Sequence, residues 1–233
     1  MKQVLFLSVV MILLSSCHFV NGSGNIITQT RPTTEFRRIS ASSGFNVELK
    51  TGPSTEMIIE ADDNVMKYIE TSVSGDVLKI GISGNVHFHD VHLKAFITAP
   101  EILGIKASSG ASVIVKDLLK NTGKLSFNAS SAGTIISVID APEIEADASS
   151  GASIKISGKT RDFHASVSSG SNMKTGELLS ENTTVSASSG ASATVHASIK
   201  LQATASSGAS VNYYGAASVQ KNVSSGGSVE KKD

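Results

Sequence analysis

The densest group of residues that could bind a metal ion lies in six residues that contain His87, His89, Asp90 and His92. Residues two apart in a strand share a face, so His87 and His89 could present two imidazole nitrogens together. Asp90 or His92 could then complete a zinc-like ligand set. Such a stretch is more often an exposed polar loop, and no further ligand set accompanies it. We therefore predict no cofactor and keep these four residues as the candidate metal ligands.

Two sequence patterns suggest serine chemistry, but neither brings the partners that a nucleophile needs. Ser171-Asn172-Met173-Lys174 matches Ser-x-x-Lys, and Lys174-Thr175-Gly176 matches Lys-Thr-Gly, both found in penicillin-recognising enzymes. The matches overlap at Lys174, and the first lies on a predicted strand instead of opening a helix, so we interpret both as chance. No Gly-x-Ser-x-Gly elbow occurs in the sequence. The sequence predicts no catalytic residue.

Carbohydrate chemistry is suggested by paired carboxylates and by two tyrosines. The pairs Glu143/Glu145 and Asp62/Asp63 resemble the acid–base pairs of polysaccharide cleavage. That interpretation rests only on analogy with pectin-degrading β-helices. The adjacent Tyr213-Tyr214 could stack on a sugar ring. Because neighbouring strand residues point to opposite faces, at most one of the two rings is free.

The elements that position these residues are set by a repeat of Ser-Ser-Gly, preceded by Ala or Val. Its copies are Ala107–Ala111, Ala148–Ala152, Val167–Ser171, Ala187–Ala191, Ala205–Ala209 and Val223–Gly227, with a degenerate copy at Ala129–Gly133. Their first residues stand 22, 19, 19, 20, 18 and 18 positions apart. A period near 20 is typical of one unit stacked on copies of itself. The repeated serines, which have no histidine and aspartate at a repeated spacing, therefore predict architecture and not a row of nucleophiles.

Apolar and polar residues alternate on both sides of each copy. When the Ala or Val is counted as position zero, positions −4 and +6 are mostly apolar or small, whereas odd positions are mostly polar. A period of two indicates strands with one face in a core. We predict an all-β fold, a right-handed parallel β-solenoid (β-helix) of ~18–22-residue coils over residues 101–233. A β-sandwich is the competing fold, but it does not explain one corner per period.

The glycines of the repeat are predicted to form the corners of the coils; they are Gly110, Gly151, Gly170, Gly190, Gly208 and Gly226. Glycine would be required either by a positive φ or by a tight inner corner in which a Cβ would clash. The adjacent serine hydroxyls are expected to bond to their equivalents one coil away or to nearby backbone. In the degenerate copy Ala132 stands at the glycine position and Gly133 follows, so we expect a different local corner there.

Residues 35–100 predict an N-terminal β region. Phe45, Val47 and Leu49 alternate with polar residues, and Ser74-Gly75-Asp76 predicts a tight hairpin turn. Asp62-Asp63-Asn64 could cap a helical turn at residues 65–67. Further strands are predicted at residues 57–61, 68–73, 77–82 and 93–98. The region is expected to cover one end of the solenoid or to form a separate sheet stacked on it.

Residues 1–16 predict a lipoprotein signal peptide. A basic start precedes an apolar run from Val4 to Leu14 that is too short for a stop-transfer helix. Leu14-Ser15-Ser16-Cys17 resembles a bacterial lipobox, which implies cleavage before Cys17, the single cysteine, and diacylglycerol on its sulfur. Residues 17–34 are then a flexible tether. The alternative is an ordinary signal peptide cut near Asn21-Gly22, which would give a soluble secreted protein.

Composition limits the possible partners and the kind of core. Twenty basic and 20 acidic residues give a formal net charge of zero, and no basic stripe is visible. We therefore expect no nucleic-acid partner. Aromatic residues make up 5% of the chain. That is low for a globule with a thick core but suits a solenoid, whose coils bury their interior against their neighbours.

The motifs together resemble the head GIN domain of putative autotransporter adhesins, a family common in Bacteroidetes-type bacteria. The resemblance covers residues 36–230 and rests on the repeated Ser-Gly-Ala-Ser and on the segments Phe36–Ile39, Phe45–Leu49, Ser74–Ile80, Tyr213–Gly215 and Ser224–Ser228. It implies a β-helical, non-catalytic protein outside the cytoplasm. No catalytic or binding residue of the family comes with it.

Our leading hypothesis is a non-enzymatic cell-envelope lipoprotein held at the outer membrane by lipid on Cys17. Its solenoid would bind, as an adhesin does, a polysaccharide, a host glycan or an envelope or host protein. The alternatives are a polysaccharide-active β-helix enzyme and a purely structural envelope protein. Residues 18–21 lack the acidic cluster that resembles surface-export signals. The periplasmic face and the cell surface are therefore both open.

Overall fold

The computed structural model describes residues 19–84 and 86–233, so the predicted signal peptide and Cys17 lie outside the described residues. Strands make up 62% of the described chain, and its helical structure is one 3₁₀ helix at Met66–Tyr68. The strands are β1 (Phe19–Asn21), β2 (Ile26–Thr30), β3 (Arg38–Ala41), β4 (Asn46–Thr51), β5 (Glu56–Asp62), β6 (Ile69–Ser74), β7 (Val77–Ile82), β8 (His87–His89), β9 (Leu93–Ala99), β10 (Gly104–Ala107), β11 (Ser112–Lys120), β12 (Lys124–Ala129), β13 (Thr134–Asp140), β14 (Glu143–Ala148), β15 (Ser153–Val167), β16 (Asn172–Lys174), β17 (Leu178–Ala187), β18 (Ser192–His196), β19 (Lys200–Ala205), β20 (Ser210–Tyr214), β21 (Ser218–Val223) and β22 (Ser228–Lys231).

The strands stack into two long parallel faces that meet at the Ser-Ser-Gly corner. Face A holds the strands before the corner, in the order β7, β3, β10, β12, β14, the second half of β15, the second half of β17, β19 and β21. Face B holds those after it, in the order β9, β4, β11, β13, the first half of β15, β16, β18, β20 and β22. The predicted β-solenoid is confirmed, with about seven turns. The competing sandwich is wrong because these pairings are parallel.

The predicted strand parity places the core between the two faces. Val113, Ile135 and Ile154, which stand at position +6 of successive repeats, are fully buried. The largest fully buried side chains include Phe45, Phe127 and Phe163. Elsewhere the core residues are mostly Ala, Val, Ile and Leu. Low aromatic content therefore goes with a narrow interior in which each coil packs on the next.

Each corner is a two-residue turn with left-handed backbone at both central positions. In the first full copy, Ser109 has φ 50° and Gly110 has φ 76°, and the Ala111 N–H donates to the Ser108 carbonyl at 3.0 Å. These are the features of a type I′ turn. The six predicted corner glycines have φ between 68° and 76°, and in five of them an added Cβ would meet nothing within 4 Å. Backbone conformation, and not crowding, makes glycine the favoured residue.

Backbone bonds join the corners of successive coils. The Gly110 N–H donates to the Ser131 carbonyl at 3.0 Å, and the Gly151 N–H donates to the Ser169 carbonyl at the same distance. Among the described corner serines at positions +1 and +2, hydroxyl bonds occur only at Ser42 and Ser43, so the expected hydroxyl ladder is wrong for the other corners. The expectation of a different corner in the degenerate copy is also wrong. Ala132 adopts φ 61° and its N–H donates to the Ser150 carbonyl at 3.0 Å, as glycine does elsewhere.

The solenoid begins earlier than the repeat analysis placed it. Ala41-Ser42-Ser43-Gly44 is an eighth copy, and Ala41 pairs in register with Ala107 although 66 positions separate them. The intervening residues supply β7 and β9, which stack on the outer side of β3 and β4. Part of the N-terminal β region is therefore the terminal coil of the same stack. Antiparallel strands β6, β5 and β2 extend its two faces beyond that coil.

The local N-terminal predictions hold with one change. The β6–β7 hairpin turns at Gly75-Asp76 with Gly75 at φ 63°, as predicted. The helical turn is present as the 3₁₀ helix, but no side chain caps it. In the part of the chain that the structure covers, no helix has the length and apolarity to cross a membrane.

Candidate binding surfaces

The histidine stretch occupies the corner of the terminal coil, where other coils have Ser-Ser-Gly. It connects β7 to β9, and β8 within it pairs parallel with β1. The His87 ring packs on Phe19 with centroids 5.7 Å apart, whereas His92 Nε2 lies 2.6 Å from Glu60 Oε1. His89 and Asp90 are exposed. Within residues 19–84 and 86–233, no three His, Cys, Asp or Glu side chains form a group that could hold a metal ion. The four candidate ligands are not assembled into one site.

The carboxylates at 62 and 63 hold the N-terminal segment. Buried Asp62 accepts the Gly24 N–H at 2.7 Å and the His92 N–H at 2.7 Å. Asp63 accepts the Ser23 hydroxyl at 2.6 Å and the Asn25 amide at 2.8 Å, and these bonds lower the pKa of its carboxyl, with the Ser23 bond contributing most. These side chains therefore bind the chain's own backbone and polar groups instead of facing a substrate.

The expectation of a flexible tether needs correction over residues 21–30. The Asn64 side-chain amide donates to the Asn21 carbonyl at 2.8 Å, and β2 pairs with β5 along its whole length. The glycine- and asparagine-rich composition of this segment suggested flexibility. The segment is instead held by hydrogen bonds to the side chains of Asp62, Asp63 and Asn64. The boundary of a tether before residue 21 stays a prediction.

The pair Glu143/Glu145 lies on the outer side of face A with a lysine beside it. Lys124 Nζ lies 3.3 Å from a Glu143 oxygen and 2.8 Å from a Glu145 oxygen. Asp147 follows on the same side of β14, and the pKa of its carboxyl is raised, first by burial and then by Glu145. On the next coil Asp162 pairs with Glu143 in register. The outer side of face A therefore carries a cluster of carboxylates partly neutralised by Lys124.

The Ser-x-x-Lys and Lys-Thr-Gly patterns do not assemble a nucleophile. Ser171 is buried, and its hydroxyl oxygen lies 2.8 Å from the Ala148 carbonyl and 2.6 Å from the Ser168 carbonyl, so its one proton is held between backbone acceptors. Lys174 is exposed on the opposite side of β16. The Thr175 hydroxyl donates to the Thr194 carbonyl at 2.9 Å. The interpretation of these patterns as chance is consistent with that geometry.

A lysine pair and a tyrosine meet on the outer side of face B. Lys155 and Lys174 stand at position +7 of consecutive repeats and are direct register partners in neighbouring coils. Together with Gly176, Glu177, Thr194 and Tyr214 they line a groove of ≈ 530 Å³, a volume that suits a small ligand. Neither lysine forms an ion pair among the described residues, whereas Lys94 and Lys116 both approach Glu48.

The two tyrosines separate as strand geometry predicts. Tyr213 is buried, whereas Tyr214 is 37% exposed and lines the groove. A Cβ on Gly176 would lie 3.0 Å from the Tyr214 ring, so glycine makes room for that ring. Sequence reasoning found Tyr214 and named Lys174 and Gly176 only within the Lys-Thr-Gly pattern, and it missed Lys155, Glu177 and Thr194. The signal for the lysines was present, because both occupy the same position in consecutive repeats.

A second groove of ≈ 730 Å³ crosses the edge where coils pass from face B back to face A. Its lining has both charge signs: Lys159 lies 3.3 Å from an Asp140 oxygen, and Glu181 faces the same space. Leu179 is 58% exposed beside it. In this groove the opposite charges pair with each other, unlike the lysines of face B.

Comparison with known proteins gives a family match over most of the solenoid. Residues 35–217 match the family described as putative auto-transporter adhesin, head GIN domain. The chain belongs to this family. The resemblance inferred from the sequence motifs is thereby confirmed. Family membership points to a cell-envelope or surface protein. No curated protein matches the chain.

Solved structures of similar proteins share the family fold. A putative adhesin from Bacteroides fragilis superposes with a TM-score of 0.84 at 19% identity, covering 91% of this chain and 100% of its own. A putative lipid binding protein from Parabacteroides distasonis gives 0.75 at 17% identity, covering 92% and 100%. A putative adhesin from Parabacteroides merdae gives 0.73 at 17% identity, covering 93% and 100%. At these identities the likeness shows the fold.

Proposed function

We propose that this head GIN protein is a non-catalytic lipoprotein that binds a polysaccharide or an envelope or host protein through the outer faces of its solenoid. Lipid on Cys17 would hold it at the outer membrane, on the periplasmic or the surface side. The observation that carries the binding proposal is the contrast between inner and outer rows. Inward and corner positions repeat from coil to coil, whereas the outer row of face B changes from Ile136 to Lys155, Lys174 and Thr194.

The backbone ladder makes such outer rows suitable for recognition. Parallel register fixes neighbouring outer side chains about 4.8 Å apart along the stack. A ligand then meets groups that are already positioned, which lowers the entropy cost of binding. Adhesin-family membership supports the same function.

Binding and turnover can be separated with one set of ligands. The purified protein is applied to an array of neutral and acidic glycans and to envelope polysaccharide fractions, and the supernatants are analysed for released oligosaccharides. We expect the protein to be retained on one or more glycans without release of oligosaccharides into the supernatant. Released oligosaccharides would establish the enzyme instead. Absence of retention on every glycan, together with no captured envelope protein, would favour a purely structural role and contradict the binding proposal.

The anchor is tested by fractionation. Cys17→Ser should move the protein from the membrane pellet to the soluble fraction, because the thioether-linked lipid can no longer form. Metabolic labelling with a fatty acid should be lost in the same variant. Unchanged membrane retention without label would overturn the lipid anchor and leave the binding proposal untouched.

The alternative as a polysaccharide-active enzyme has one observation in its favour. Burial, and then Glu145, raise the pKa of the Asp147 carboxyl on an open face, and a raised pKa is the direction that general-acid catalysis needs. The ion pair between Lys124 and Glu145 also gives this carboxylate cluster a structural role, which explains it without catalysis. Turnover that Asp147→Asn abolishes and Asp90→Asn preserves would establish the alternative.

A further inference from the structure

We propose that the face B groove lined by Lys155, Lys174 and Tyr214 binds an acidic sugar residue of a polysaccharide, one that carries carboxylate or sulfate. The proposal rests on the binding function above and names its ligand class. The groove lies where β15, β16, β18 and β20 run side by side, with Gly176 and Glu177 in the turn between β16 and β17. Its lining therefore comes from four successive coils held by backbone bonds.

The two lysines form a cationic pair that has no ion-pair partner among the residues that the structure describes. Lys155 and Lys174 are cross-strand partners, and like charges directly opposite each other are destabilising. Some lysines of the described chain do have a carboxylate partner: Lys94 lies 3.0 Å from Glu48, and Lys124 lies 2.8 Å from Glu145. An anion between the two ammonium groups would remove their repulsion and gain two charge-assisted hydrogen bonds.

Tyr214 supplies the apolar part of the site. Tyr213 occupies the inward position, so the Tyr214 ring lies on the outer side, where it packs over Gly176. A half-exposed aromatic ring offers a flat apolar surface with a polar hydroxyl at its end. The C–H face of a pyranose ring fits such a surface, whereas a free inorganic anion would gain nothing from it.

Glu177 and Thr194 favour a hydroxyl-bearing ligand over a denser polyanion. The Glu177 carboxylate is acceptor-only, and the Thr194 hydroxyl both donates and accepts. Sugar hydroxyls can donate to Glu177 while one acidic substituent lies between the lysines. A nucleic acid or an anionic lipid surface would bring several negative charges close to Glu177, at an electrostatic cost. The combination of two cations, one ring and one carboxylate therefore selects an acidic sugar.

The test measures binding of polygalacturonate, a sulfated dextran and neutral dextran to the purified protein by calorimetry at low ionic strength. We expect both acidic polymers to bind and neutral dextran to bind at least tenfold more weakly, which is about the contribution of one charge-assisted bond. The polymer that binds more tightly distinguishes carboxylate from sulfate as the recognised group. Affinity should fall as salt rises, because the lysines are exposed to solvent.

Variants assign the binding to the groove. Lys155→Gln and Lys174→Gln should each weaken acidic-polymer binding about tenfold, whereas Lys106→Gln, which removes an exposed lysine from face A, should not change it. Tyr214→Ala should weaken binding with the salt dependence retained, and Tyr214→Phe should restore most of it. Without ligand, Lys155→Gln should keep or raise the melting temperature, since it removes a like-charge contact. That result excludes misfolding as the cause of lost binding.

Three outcomes would overturn the proposal. They are unchanged affinity in the double lysine variant, equal affinity for neutral dextran, and binding to phosphatidylglycerol vesicles without binding to either acidic polymer. If Lys155→Gln and Lys174→Gln leave retention on the glycan array unchanged, the groove is not the binding site, whereas the proposed binding function is unaffected. Loss of all glycan and protein binding would contradict both.

Discussion

At the residue scale, the corner turns place serine where glycine or asparagine is usual. The second serine of each corner has a φ between 47° and 58°. A left-handed conformation costs an L-residue about 1–2 kcal/mol. The corner backbone bonds along the stack offset that cost, because at every corner before the last one the N–H that follows the left-handed serine donates to the next coil.

The degenerate corner provides a test of this conformational cost. Ala132 has φ 61° in a turn whose other copies use glycine. Ala132→Gly should remove about 1–2 kcal/mol of left-handed cost and lose about 0.4–1 kcal/mol to the greater entropy of glycine in the unfolded chain. We expect a net gain of about 0.5–1 kcal/mol in the free energy of unfolding, measured in urea. Ala191→Gly, at a buried position outside the positive-φ set, is the control and should destabilise. A loss of stability in Ala132→Gly would contradict the assignment.

Gly158 is required for a reason that the corner glycines lack, because a neighbouring coil approaches it closely. Gly158 has φ 113°, and a Cβ there would lie 2.0 Å from the Ile139 carbonyl oxygen of the preceding coil. Gly190 has φ 68° and open space around it. Gly158→Ala should therefore lose about 1–3 kcal/mol more than Gly190→Ala, because crowding adds to strain. The comparison uses urea denaturation of both variants. Equal losses would show that the close approach relaxes without cost.

At the element scale, the N-terminal segment is held by a few polar bonds that a single substitution can weaken. Asp63 accepts from Ser23 and Asn25, and its folded pKa lies below the ordinary value. The contribution of Asp63 to the free energy of unfolding is therefore fully present above the ordinary carboxyl pKa. It is lost as the pH falls through the lowered pKa of the folded state. Asp63→Asn should speed amide hydrogen exchange in residues 23–30 at neutral pH, whereas Glu56→Gln, at the start of the preceding strand β5, should not. Unchanged exchange in Asp63→Asn would mean that β2 pairing alone holds the segment.

Sequence patterns were sufficient to predict the strands and turns that are determined by neighbouring residues. The period-two alternation at Phe45, Val47 and Leu49 and the hairpin at Gly75 both report backbone geometry directly, and both are present. The eighth corner at Ala41 was missed because an insertion separates it from Ala107, although the two are adjacent in space. Pairing of β7 with β3 depends on contacts between distant residues, which no local period records. The face B groove was missed for the same reason, since stacking and not sequence proximity brings Lys155 to Tyr214.

At the scale of the whole molecule, a solenoid has two ends that must resist pairing with another copy. The final coil carries Lys221 at an inward register position, opposite buried Ala203 of the preceding coil, and Lys221 itself is exposed because no coil covers it. Its ammonium lies 2.9 Å from the Val229 carbonyl oxygen and 5.2 Å from the centre of the Tyr213 ring. A charge that points inward at the edge of a sheet prevents the edge from adding another strand.

Replacing this charge should let the end of the stack associate. Lys221→Leu would continue the apolar core row to the open end and leave β21 and β22 as unprotected edges. We expect concentration-dependent oligomers by size-exclusion chromatography with light scattering, at concentrations where the unmodified protein gives one species. Lys200→Leu, an exposed lysine on the outer side of β19, is the matched control for added hydrophobicity and should leave the elution unchanged. If both variants associate equally, surface hydrophobicity is the cause; if neither does, the charged residues 230–233 (Glu-Lys-Lys-Asp) suffice to protect the end.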